Sequence, residues 1–156
     1  MPDRPIVIGF DGSDSAQRAV REAGALLGHR PALVVTVWEP GLAYAASVPS
    51  SLDLPAAPVD VTTATEIDDA LDKRAHRVAD QGVALARESG FVSAEPVVTA
   101  DEGNVAETLV DVARERDAQA IVVGSRGLSG LKARLAGSTS RHVLQHADRP
   151  VVVIHD

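Results

Sequence analysis

Between Gly124 and Ser140 the chain reads GSRGLSGLKARLAGSTS, a stretch dense in glycine, hydroxyl and basic residues. Glycine lets backbone amides approach an anion closely, and the start of a helix adds free amides and partial positive charge. Gly137, Ser138 and Thr139 stand where such a helix would begin, and the hydroxyls of Ser138 and Thr139 can also donate. Arg126, Lys132, Arg134 and Arg141 gather positive charge in a chain whose 15 basic and 22 acidic residues leave it at −7 overall. The chemistry on offer is anion binding, and a polyphosphate is the simplest match. Glycines that merely end strands and cap helices are the plainer reading. That reading explains Gly124 alone better than it explains the whole cluster.

Other groupings carry less. His142 and His146 lie one helical turn apart, but the chain has no cysteine and no third nearby histidine to complete a zinc set, so both read as solvated. Ser138 and His142 invite a hydrolase reading that lacks a GxSxG elbow and an oriented acid. The turn DGSDS partly matches the SGGxDS phosphate loop of ATP pyrophosphatases, yet Phe10 and Asp11 stand where Ser and Gly belong. Neither GxGxxG nor GxxxxGK[ST] is present.

The elements that must position these residues follow from apolar spacing. PIVIGF is an apolar run that meets DGSDS, after which Ala16, Ala19, Val20, Ala23, Leu26 and Leu27 recur at helical spacing. Asp14 with Gln17 suits an N-terminal capping pair, and Gly28 a left-handed helix end. Ala32–Trp38 is a second strand, and 39–62, with four prolines, a long connection. Thr63 and Glu66 suit a capping box for the longest helix, whose apolar face runs through Ile67, Leu71, Ala75, Val78, Gly82 and Leu85 to Gly90. A strand over Phe91–Ala100, a helix opened by Asn104 with Glu107, the strand AIVVG, a helix from near Gly137 and the strand PVVVIHD complete the order. Strands that are apolar runs, alternating with helices, imply an α/β fold: one open, parallel sheet with helices on both faces. Right-handed crossovers then bring Asp11, Val37, Ala100 and Gly124 to one sheet edge, where such folds bind ligands.

With 156 residues, one domain spanning 1–156 is expected. The acidic balance disfavours nucleic acid, and two Phe, one Tyr and one Trp are too few for a base-stacking platform. No apolar stretch approaches the ~20 residues of a membrane span, and the opening MPDRPIVIGFDGSD shows no secretory or transit signal, so a cytoplasmic location is expected. The apolar last strand would leave an unpaired sheet edge, which two-fold pairing into a homodimer would cover.

The spacing Gly124-x2-Gly127-x9-Gly137-Ser138 resembles the ATP-binding motif of the universal stress protein family. The likeness extends through AQAIVVGSRG, GSTSRHVLQHADRPVVVI and IVIGFDGSDSAQRAV, leaving out only the 39–62 connection. It implies a five-stranded Rossmann-like sheet of the adenine nucleotide alpha hydrolase kind, with strand order 3-2-1-4-5, and a homodimer through the C-terminal strand. It also implies ATP at the strand edge and a role in stress survival or growth arrest. By the same resemblance Gly9 and Asp11 lie near ribose and a phosphate-bound Mg²⁺, and the backbone of Val37 faces adenine. Gly124, Ser125, Arg126, Gly127, Gly137, Ser138 and Thr139 lie about the phosphates. A carboxylate such as Asp11 can accept from ribose hydroxyls or ligate Mg²⁺, but it equally suits a turn with the following amides. For Val37 the sequence alone favours a core strand residue. Asp101 and Glu102 bring two acids near the site, to assist a metal or repel phosphate. The expected function is a nucleotide-dependent regulator in which ATP binding orders the 125–136 loop, and with it the 39–62 connection, so that surfaces for an unidentified protein partner respond. The alternatives are a Mg-dependent ATP hydrolase or phosphotransfer enzyme at the same site, or a structural dimer that needs no nucleotide.

Overall fold

β1 (Ile6–Gly9) is four apolar residues buried on both faces: Ile6 and Ile8 point to one side of the sheet and Val7 to the other. The computed structural model describes residues 3–41, 60–101, 104–125 and 138–155. In chain order the other elements are α1 (Asp14–Leu27), β2 (Pro31–Trp38), α2 (Val61–Glu88), β3 (Ser93–Ala100), α3 (Val105–Glu115), β4 (Ala120–Gly124), α4 (Ser138–His146) and β5 (Val151–Ile154). The five strands form one parallel sheet in the order β3-β2-β1-β4-β5, as the family resemblance implied. Ile6 lies opposite both Ala32 and Ala120, and Ile121 opposite Val151. The ladder runs one residue past three strands, with Phe10 N donating to Val35 O at 2.8 Å, Ser125 N to Ile154 O at 2.8 Å and Asp101 N to Trp38 O at 3.0 Å.

Each face of the sheet carries its own core. On one side Ile6, Ile8 and Phe10 meet Ala16, Ala19, Val20 and Ala23 of α1 with Val83 and Ala86 of α2. On the other, Val7, Leu33 and Val35 meet Leu109, Val110 and Ala113 of α3 with Val143 of α4. The strand order reverses between β1 and β4. The chain leaving β1 therefore goes to one face and the chain leaving β4 to the other, and a crevice opens between them at the C-terminal strand ends.

Three helix ends differ from expectation. Ser13, not Asp14, caps α1: its hydroxyl accepts from Ala16 N at 3.1 Å, while Gln17 Nε2 donates to Gly12 O. Asp60, not Thr63, caps α2, so that helix starts earlier and its first turns, Ile67 included, lie exposed. Adjacent Ser, Thr and Asp residues are all competent caps, and spacing alone does not choose among them. Gly28 has a right-handed φ of −61°. It is required there by close packing instead, since a Cβ would fall 2.4 Å from Gly24 O and 2.7 Å from Gly90 O. Among the described residues no helix is long and apolar enough to cross a membrane. Most of the 39–62 connection lies outside the described residues.

Candidate functional site

From the end of β1 the chain turns sharply into α1. Asp11 Oδ1 accepts from Ser13 N at 2.9 Å, and Gly12 takes the left-handed φ of 81° that the turn requires. The turn reading of Asp11 therefore holds, and it occupies one oxygen. Oδ2 of this half-buried carboxylate makes no hydrogen bond among the described residues.

Four of the sequence-derived residues, Gly9, Asp11, Gly124 and Thr139, meet around one cleft, joined by Ser15, Ala16 and Val123. The cleft lies in the crevice where the strand order reverses. α1 reaches it from one face and α4 from the other, each with its N-terminal end, which is where a helix presents unpaired amides and partial positive charge. Gly124 is explained by α1: a Cβ there would lie 2.6 Å from Ser15 Oγ and 3.1 Å from Ser15 O. Thr139, in the first turn of α4, is 8% exposed.

The remaining expectations are placed as follows. Ser125 follows the last residue of β4 with its amide committed to Ile154 O, and it does not line the cleft. Val37, next to last in β2, packs half-buried against the α3–α4 core and does not line the cleft. Ser138 is the first residue of α4. Arg126, Gly127 and Gly137, like Lys132, Arg134 and Glu102, lie outside the described residues. Asp101 is engaged by the Thr108 hydroxyl of α3, so it has a structural task in anchoring that helix.

The Universal stress protein family model matches residues 3–155. The chain belongs to the universal stress protein family. It is 30% identical to universal stress protein Rv1636 of Mycobacterium tuberculosis, over 97% of this chain and 96% of that one. It is 28% identical to universal stress protein YxiE of Bacillus subtilis, over 96% and 97%. Among solved structures it resembles the universal stress protein from Archaeoglobus fulgidus in complex with dAMP, at 27% identity and a TM-score of 0.62, covering 99% of both chains.

In this universal stress protein two contributors escaped the sequence reading. The first is the link that sets α4 against α3. Asn104 caps α3 through Oδ1, which accepts from Ala106 N at 3.0 Å, and its Nδ2 lies 3.1 Å from His142 Nε2. Glu107 Oε1 is 3.5 Å from the same nitrogen, and His146 stacks on His142 with centroids 4.1 Å apart. His142 is thus a partly buried packing residue, not the solvated one expected. Among the described residues no group of three His, Cys, Asp or Glu is arranged to hold a metal. The second is Ser15, hidden within DGSDS because nothing in its spacing shows that β4 would close over it.

Proposed function

We propose that this universal stress protein binds an adenine nucleotide, ATP with Mg²⁺, in the crevice between β1 and β4, and acts as a nucleotide-dependent regulator of stress response or growth arrest. The observation that carries the proposal is the convergence of two helix N-termini with Gly9, Asp11, Gly124 and Thr139 on one cleft at the reversal of strand order. The Archaeoglobus fulgidus relative, which holds dAMP, supports an adenine nucleotide as the ligand. In this reading Gly124, Ser125, Arg126, Gly127, Gly137, Ser138 and Thr139 surround the phosphates. Oδ2 of Asp11 takes a ribose hydroxyl or the magnesium ion, and the backbone of Val37 flanks the adenine. Magnesium, when bound, neutralises phosphate charge, and oxygen donors such as Asp11 suit it. Binding itself is the activity, carried by one domain in the cytoplasm that pairs through β5 into a homodimer.

Mass spectrometry of small molecules released from the denatured protein tests the proposal directly, and an adenine nucleotide is expected. Added nucleotide at about 100 times its dissociation constant raises the unfolding free energy by ~2.7 kcal/mol, readable as a thermal shift. An unchanged melting temperature across AMP, ADP and ATP would remove the proposal. Turnover of ATP at ~1 per second or faster would replace it with an enzyme.

A further inference from the structure

Ser15 is 8% exposed, and its Oγ has no hydrogen-bond partner among the described residues. A buried hydroxyl left unpaired costs stability, and nearly all such groups in folded proteins find a partner. Packing alone asks nothing of this position that an alanine methyl would not supply, because Gly124 already makes room for the side chain. The hydroxyl also stands in a polar setting. It belongs to the first turn of α1, where Ala16 N is satisfied by Ser13 Oγ and Gln17 N by Ser13 O, leaving the amides of Asp14 and Ser15 without an acceptor in the helix. It lines the same cleft as Asp11 and, from the opposite helix, Thr139.

We infer that Ser15 is a nucleotide-contacting residue: its hydroxyl donates to an oxygen of the phosphate attached to the ribose, which is held between the N-termini of α1 and α4. This inference rests on the nucleotide reading above and adds a second wall to the phosphate site, on the β1 side. An oxyanion is the fitting partner because the donors at hand, a hydroxyl and two amides at the positive end of a helix, all seek an acceptor. The nearby acids do not hold the hydroxyl: neither carboxylate oxygen of Asp11 hydrogen-bonds Ser15 Oγ, and Asp14 is exposed. A serine hydroxyl turns among three staggered positions at little cost, so it can swing from beneath Gly124 toward a phosphate oxygen.

Isothermal titration of AMP and of adenosine into the full-length protein and its Ser15→Ala variant, with melting curves taken without ligand, tests this. Ser15→Ala is expected to melt at the same or a higher temperature, to bind AMP about tenfold or more weakly, and to bind adenosine as the parent does. Unchanged AMP affinity in the variant, or an equal loss for adenosine, overturns the inference while leaving the nucleotide reading in place. A lower melting temperature without ligand also overturns it, because the hydroxyl would then have a partner within the fold. A parent protein that binds neither compound overturns both.

Discussion

Arg149 shows how a single side chain can tie three segments together. It is nearly buried, and its guanidinium donates to the carbonyls of Ala113 and Ala118 and to Asp148 Oδ1. That hydrogen bond holds the Asp148 carboxyl below its ordinary value against an opposing cost of burial, with the charges of Arg149 and Arg114 adding to the lowering. A carboxyl depressed in the folded state contributes stability above its unfolded pKa, and loses it as pH falls through the lower folded value. Asp148→Asn is therefore expected to lower the urea midpoint at neutral pH. The gap to the parent should close below pH ~3.9, in a series of urea melts across that range. A gap that persists at acid pH would mean the carboxylate charge is not the cause. At the site, the residue-level prediction is the AMP-selective loss in Ser15→Ala.

The helices reach their positions through close approaches that only glycine permits. A Cβ at Gly24 of α1 would lie 2.3 Å from Ser89 O at the end of α2, and one at Gly82 would lie 2.7 Å from both Phe10 Cδ1 and Val34 Cγ1. Gly24→Ala improves helix propensity but forces α1 away from α2. We expect a net loss of about 1–3 kcal/mol in chemical denaturation, because overpacking outweighs the propensity gain. Since α1 carries Ser15 into the crevice and is joined to Asp11 by the turn that precedes it, the same variant should also weaken nucleotide binding. Element order and type were legible because they depend on neighbours one to four residues apart: Asn104 does cap α3, and AIVVG is β4. Which of several competent residues caps α1 or α2 was not legible, nor was the reason for Gly28. Both depend on where the preceding chain enters and on what packs across from it.

At the scale of the molecule the two sheet edges differ. Among the described residues β3 pairs only with β2, and it exposes Glu95 and Pro96, a charge and a missing donor that discourage further pairing. Among the described residues β5 pairs only with β4, and its four residues are Val, Val, Val and Ile, all half-buried. We therefore expect sedimentation of the intact protein to give about twice the 16.3 kDa chain mass, with β5 as the contact edge. A chain-sized particle at every concentration would refute this pairing. The sequence marked the apolar last strand as an edge open to pairing but did not show β3 to be a blunted edge, because an edge is defined by which strand lies beside it.

By itself the sequence determined the alternation of strands and helices and the parallel, two-faced character of the sheet. It also marked the stretch Gly124–Ser140, which begins where β4 ends, as the expected place for an anion. Each of these is written in local periodicity and turn chemistry. Only the tertiary structure decided that of the expected residues Gly9, Asp11, Gly124 and Thr139 line one cleft and Val37 does not, that Ser15 lies buried among them with no hydrogen-bond partner among the described residues, and that Gly124 is glycine because α1 presses against it. Those outcomes depend on two helices packing from opposite faces onto neighbouring strands. No short stretch of chain encodes that geometry.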